Sequence, residues 1–482
     1  MHQTQAGRAS NRWKTRLVLA LCAYFALQAA LRIWLGQGVH LDEGQLMLFA
    51  RQFQWGYGGQ LPLYYWVQAG VFYLFGPTVA AMAVTKNLWL LAGYLLLFDA
   101  LRRFVDTPRA ALATLGIAFS PDIVWEAQRT LTHSVALFTT CALYLAALSR
   151  VLTRAQIRDW VLLGVAVALG GLSKYNFWIL PLASAAALMT LPPSPVGHRA
   201  MRLPRGLMLA GAVAVVLLAG PMLWIVQNFA LAFSSSRKVH LGSANMSDVP
   251  FLNGVLEVAG AFAMVLVLAA VVAALARFSG GPVVNPPDEP ARWLRRFLMR
   301  TAVIGAVVLA LAMGLAEATR VTQRWLIPLA MPGILALMLW ALEAGRSRAP
   351  KVILGGAGIV AVAIAAGIFT VFGLRPSILS YDFRSLSEAL APQMEAGDTA
   401  LGGNGWIVAS VEVFAPDWPM QFGPPLFPEP AAGSHLMQLT KAQDEAPVVE
   451  GADPLGESLI AVPDRLRPDQ PMMVRAALWR YR

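Results

Sequence analysis

The sequence predicts a polytopic α-helical membrane protein with about eleven spans, interfacial helices in its first outer loop, and a small C-terminal α/β unit. Three observations predict this. The 482 residues are 57% hydrophobic and only 13% charged, against about 25% charged in ordinary soluble domains. Apolar runs recur that approach or reach the roughly 20 residues a helix needs to cross a bilayer. Arg and Lys gather in alternate loops, the signature of a chain threaded back and forth through a membrane.

Windows of about 20 residues centre the spans on 17–36, 78–100, 109–121, 131–149, 159–172, 176–191, 206–226, 251–276, 301–316, 325–343 and 352–373. The N-terminal stretch is basic, but the apolar run after it is long and has no small-residue cleavage site. It reads as an uncleaved first span and not as a signal peptide. Cys22 and Cys141 both fall inside apolar runs. With no metal-ligand spacing, they read as small buried hydrophobes.

Orientation follows from the basic residues. Arg8 to Arg16, Arg102 to Arg109, Arg150 to Arg158, Arg199 to Arg205, Arg277 to Arg300 and Arg346 to Lys351 fall on one side. They hold 21 of the 38 Lys and Arg residues, so that side is cytoplasmic. The net charge of +11 is therefore a topology signal and gives no reason to expect a nucleic-acid partner. Asp42, Glu43 and the residues after 374 then face the periplasm of a bacterial inner membrane.

The division expected is a membrane domain over 1–374, whose outer loop 37–77 carries the carboxylates, and a periplasmic domain over 375–482. In the latter, "FRSLSEALAPQMEAGD" reads as an amphipathic helix ending at Gly397. "TALGG" and "SLIAVP" read as short strands, and "GWIVASVEVF" as helix or strand.

The outer side carries few cations: Arg51, Lys86, Arg129, Lys174, Arg237, Lys238, Arg320 and Arg324. Charge near hydrocarbon is costly, so it has a partner, a task or a route to the interface. In "DEGQLMLFARQF", Leu46, Phe49, Ala50 and Phe53 fall at the i, i+3, i+4, i+7 spacing of an amphipathic helix. That helix is expected to lie on the membrane surface, apolar side down, with Asp42 at the N-cap. "WGYGG" breaks it, and a second interfacial helix starts after Pro62. Tyr64, Tyr65 and Trp66 suit the headgroup belt.

A span followed by Asp-Glu, a surface helix, a Gly-Tyr turn and a Pro-Leu-x-x-Trp segment resembles a known loop. It looks like the first outer loop of the polyprenyl-phosphate-sugar-dependent glycosyltransferases of the GT-C fold. These include protein O-mannosyltransferases and lipid A aminoarabinose transferases. "SPDIVWEAQRTLTHSVALF", "GGLSKYNFWILPLA" and "QRWLIPLAMPG" are similar to three further family segments.

The resemblance implies transfer of a sugar from a polyprenyl-phosphate donor to a lipid, glycan or protein acceptor. The phosphate leaving group needs cations, and the acceptor hydroxyl needs a base. Asp42 matches the family's catalytic aspartate, as general base or acceptor-orienting group. Glu43, about 100° away around a helix, supports the loop or contacts the acceptor.

Two departures stand out. Where many relatives have a donor-binding lysine, this chain has Gln60 before Leu61-Pro62-Leu63. Its charge is expected from Lys174, Arg129, Arg320 or Arg324. Where a second aspartate often follows Thr, the chain reads Thr132-His133-Ser134. Either His133 or Glu126 would replace it. Tyr57, Gln60, Tyr64, Tyr175 and His133 are expected to line the substrate pocket.

His40 beside Asp42 gives two possible metal ligands without a third; no cofactor is expected, and the residues leave divalent-metal dependence open. No Gly-Lys-Ser/Thr phosphate loop appears. A transporter or flippase would place ionisable groups at mid-membrane on broken helices; here they crowd one face. A catalytically inactive relative is the remaining alternative.

Overall fold

The computed structural model describes residues 2–130, 133–196, 203–234, 249–282, 288–394, 399–422, 430–445 and 448–482. Thr132, Arg199, Arg202, Arg237, Lys238 and Gly397 lie outside the described residues. The chain opens with α1 (His2–Leu35), α2 (Leu41–Phe49), α3 (Leu63–Phe75) and α4 (Val79–Leu101). Next come α5 (Thr107–Leu115), the short α6 (Ala127–Arg129), α7 (His133–Thr153), α8 (Ile157–Ser173) and α9 (Ile179–Met189). The second half of the bundle holds α10 (Leu203–Gln227), the short α11 (Phe229–Ala232), α12 (Pro250–Arg277), α13 (Glu289–Leu315), α14 (Ile327–Glu343) and α15 (Ala349–Ile368).

Eight helices are long and apolar enough to cross a membrane among the described residues. Helices also form at the predicted spans 109–121, 159–172 and 176–191, but they fall short. Proline at the start of α5 and the extended backbone at Lys174, between α8 and α9, interrupt the runs there. The predicted count of about eleven is therefore not confirmed among the described residues. α7 and α14 are apolar all round and enclosed by the bundle, whereas α10 and α15 present Val215, Val216, Ile359 and Val362 outward. Cys141 is buried as expected; Cys22 instead lies on the exposed flank of α1, a lipid-side position.

Close packing of α12 on α13 depends on small residues. A Cβ at Gly254 would sit 2.2 Å from the carbonyl oxygen of Met313. Backbone cannot give way as a side-chain tip can, so Gly254→Val is expected to lower stability by about 1–3 kcal/mol. Thermal unfolding in detergent checks this.

After α15 the chain forms α16 (Phe383–Met394), β1 (Thr399–Gly403), α17 (Gly405–Glu412), β2 (His435–Lys441), β3 (Ala452–Val462) and β4 (Met472–Tyr481). The sheet order is β1-β2-β4-β3. β1 and β2 are parallel, in register at Leu401↔Met437, and the other pairs are antiparallel. α16 and α17 share a core with the sheet, and that core extends into the outer loop. Leu46, Met47 and Leu48 of α2 are at most 3% exposed and belong to the same cluster as Ile407, Val408 and Val411 of α17. The expectation that α2 lies apolar side down on lipid is thus overturned: protein covers it. Arg51 follows α2 and pairs with the buried Glu412 at 2.8 Å, fastening the same contact.

Candidate functional site

The site is built on the turn between α1 and α2. Gly36 has φ 129°, and Gly38 passes so close to the chain after α15 that a Cβ would lie 2.2 Å from the carbonyl oxygen of Ile378. Only glycine fits there. Arg32, from the last turn of α1, donates to the carbonyl oxygens of Gly36 and Gly38, each at 2.9 Å. It also forks onto Glu43, with Nε to Oε1 at 3.1 Å and Nη2 to Oε2 at 2.8 Å. Lys86 of α4 completes the group, its Nζ 3.4 Å from Glu43 Oε1. Arg32, Glu43 and Lys86 are 5%, 2% and 2% exposed.

Glu43 also accepts from the backbone N–H of His40 at 3.2 Å, closing the first turn of α2. His40 is the N-cap, so Asp42 sits inside the first turn and not at the cap as expected. Burial opposes the Glu43 charge, but Arg32 and Lys86 outweigh it and hold the carboxyl well below its usual range. Glu43 is therefore an anchor enclosed by its partners. Burial pushes His40 down to about 4, leaving it neutral.

Asp42, next in the helix, is half-buried and held differently. Burial raises its carboxyl above the ordinary range, against the pull of Arg324, Lys174 and Lys86. Lys174 stands in extended backbone where α8 gives way to the 3-10 turn Tyr175–Trp178, and its Nζ donates to Ser134 Oγ at 2.9 Å. Arg324 is exposed on the 3-10 turn Gln323–Leu326 that opens α14. Two hydrogen bonds set these turns. Asn176 Nδ2 donates to the Trp325 carbonyl at 2.7 Å, and the Val321 N–H donates to Glu257 Oε2 at 3.0 Å. Arg320 is exposed on the preceding loop.

The other expected residues separate. Arg129 forks onto Glu126, at 2.7 and 3.2 Å, so this cation and this carboxylate largely neutralise each other. That pairing argues against Glu126 as the second acid of the site and against Arg129 as a phosphate ligand. Tyr57 and Tyr64 are 2% and 1% exposed, core residues rather than pocket walls or headgroup anchors. The Tyr57 hydroxyl donates to the Gln52 carbonyl at 2.6 Å, and Tyr57 bridges to Gln60 across the tight turn. Tyr175 stacks on Phe233 at 5.4 Å and donates to the Ala232 carbonyl. His133 is buried against Tyr65, their rings 4.6 Å apart. A place on the pocket wall, or in place of the second aspartate, would need His133 to face a cavity, and its ring neighbours are Tyr64 and Tyr65.

Sequence reasoning missed two groups, one that feels the charge of Asp42 and one that feels the cations acting on it. Tyr65, expected at the lipid headgroups, is fully buried; its hydroxyl feels the Asp42 charge and has no hydrogen-bond partner among the described residues. Asp122 opens the π-helical turn Asp122–Glu126 and is 6% exposed. Burial, helped by Glu126, pushes it up to about 6 against the pull of Arg324 and Lys174. These are two of the cations that act on Asp42. The only signal in the sequence was its place in "SPDIVWEAQR", where Glu126 was singled out instead.

Buried carboxylates facing cations at the mouth of a helix bundle suit handling of a phosphate-linked group next to a hydroxyl. Comparison with known proteins agrees with this class of chemistry. The family model described as dolichyl-phosphate-mannose-protein mannosyltransferase matches residues 60–224. The lipopolysaccharide core galacturonosyltransferase RgtA of Rhizobium johnstonii is 32% identical over 430 residues, covering 86% of this chain and 84% of that protein. RgtB of the same organism, described in the same words, is 27% identical over 439 residues, covering 86% and 85%. The chain belongs to this family of membrane glycosyltransferases of the GT-C fold, as its resemblance implied. It is a multi-pass membrane enzyme. Its fold is similar to that of ArnT from Cupriavidus metallidurans bound to undecaprenyl phosphate, with TM-score 0.59 at 16% identity, covering 96% of this chain and 98% of that one.

Proposed function

We propose that this enzyme transfers a uronic acid from a polyprenyl-phosphate donor to the core sugars of a lipopolysaccharide-type acceptor, on the periplasmic face of the bacterial inner membrane. The observation that carries the reading is that the charges of Lys174 and Arg324 both act on Asp42. The class of donor is supported by the undecaprenyl phosphate in the similar ArnT structure, and the sugar and acceptor by the names of the two Rhizobium relatives. The side is supported by the basic loops gathering at the bundle's other end, with 1–374 forming the membrane domain and the remainder a periplasmic domain.

In this reading Lys174 and Arg324 hold the donor phosphate, with Arg320 at the rim. Asp42 takes the proton of the acceptor hydroxyl as its oxygen attacks the anomeric carbon. The bond from that carbon to the phosphate oxygen breaks on the opposite face, releasing polyprenyl phosphate and leaving the transferred sugar inverted at its anomeric carbon. Glu43, Arg32 and Lys86 hold Asp42 in place without touching substrate.

Lipopolysaccharide from cells with and without the gene, compared by mass spectrometry, tests the function. Loss of one hexuronic acid from the core is expected; an unchanged core would overturn the reading. Lys174→Ala and Arg324→Ala are each expected to weaken polyprenyl-phosphate binding about tenfold or more, the worth of one charge-assisted hydrogen bond. Titration of purified protein with undecaprenyl phosphate measures this.

A further inference from the structure

Asp122 has no task in the chemistry above, yet its setting is one that proteins rarely leave idle. Its side chain is 6% exposed, and its Oδ2 has no hydrogen-bond partner among the described residues. A buried acceptor without a donor costs about 1–3 kcal/mol, so a donor is expected to arrive. The surroundings narrow what that donor is. Glu126, four residues on, is occupied by Arg129 at 2.7 Å. Lys174 reaches to Ser134, and it and Arg324 act on Asp122 and Asp42 alike. The turn is closed by backbone: the N–H groups of Ile123 and Val124 both donate to the carbonyl oxygen of Ser120, each at 3.1 Å.

We infer that Asp122 is a positioning residue for the donor sugar: its buried, unpartnered oxygen accepts a hydrogen bond from a hydroxyl of the sugar attached to the phosphate that Lys174 and Arg324 are proposed to hold. The inference rests on the functional reading above and adds to it the sugar-binding half of the donor site. A carboxylate suits this task because a sugar hydroxyl donates more strongly to a charged acceptor than to a neutral one. The hydrogen bond also fixes the rotation of the sugar about its phosphate ester, which orients the anomeric carbon toward the attacking oxygen.

The test compares two ligands on the same purified protein: undecaprenyl phosphate, which lacks the sugar, and undecaprenyl-phosphate galacturonic acid. In Asp122→Ala, affinity for the sugar-bearing lipid is expected to fall about tenfold to a hundredfold, the range for a hydrogen bond to a charged group. Affinity for the bare lipid phosphate stays within about twofold of wild type. Asp122→Asn, which keeps an acceptor oxygen of the same reach, is expected to recover part of the loss. Equal loss for both ligands, or no loss for either, overturns the inference. The functional reading fails separately: it falls if Asp42→Asn transfers sugar at the wild-type rate, whatever Asp122 does.

Discussion

Asp42→Asn is expected to leave a folded protein that binds polyprenyl phosphate and transfers sugar at least about a hundredfold more slowly. General-base catalysis contributes about 10²–10⁴ in rate, and asparagine cannot take the proton. The amide matches the carboxylate in shape, so binding of the lipid phosphate should be little changed. It should even tighten slightly, because one negative charge has been removed beside Lys174 and Arg324. The pH profile carries the same signature. The base works only when ionised, and burial raises its carboxyl above the ordinary value. Activity should therefore fall as pH drops through a point above about 4, the usual aspartate value. The single-turnover rate against pH, in wild type and variant, checks both statements.

The second large effect is on stability. Glu43→Ala removes the one carboxylate that pairs with Arg32 and Lys86, and both cations stay buried. Removing one member of a buried ion group costs about 3–5 kcal/mol, because the remaining charge is left without a partner. The unfolding midpoint should fall by several degrees, and the turn carrying Asp42 should lose its protection from hydrogen exchange. Replacing all three residues together with apolar side chains of similar size should cost far less, since desolvation of the ions is removed as well. The pH dependence runs in one direction. A carboxyl depressed by folding stabilises above its unfolded value and loses that contribution as pH falls through its folded value. The folded value of Glu43 lies well below the usual range. The ion group should therefore persist through mildly acidic and neutral pH.

The bundle was legible because hydropathy over about 20 residues is a long-range average that tertiary packing cannot reverse. Pro62 before α3 and the small-residue turns were legible for a similar reason, since proline and glycine restrict or free the backbone locally. The neighbourhood of Asp42, Lys174 and Arg324 was legible in part, because all three fall at span ends on the side with few basic residues.

What the sequence hid is what only the folded chain decides. Arg32 and Glu43 are eleven residues apart and meet through a glycine turn; Lys86 joins from 43 residues further on. Nothing in their spacing announces an ion group. Amphipathic α2 has the same apolar stripe whether lipid or α17 covers it. Asp122 and Glu126 differ only in burial: one faces the interior, and the other takes up Arg129 at the surface. β2 and β4 went unrecognised beside the predicted β1 and β3, although they are the two central strands of the sheet.

A structure of the enzyme with a non-hydrolysable polyprenyl-phosphate sugar tests the central claim most directly. The phosphate is predicted to lie between Lys174 and Arg324, with the anomeric carbon turned toward the Asp42 carboxylate. A phosphate bound elsewhere, with Asp42 closed off by protein or facing lipid, would contradict the account.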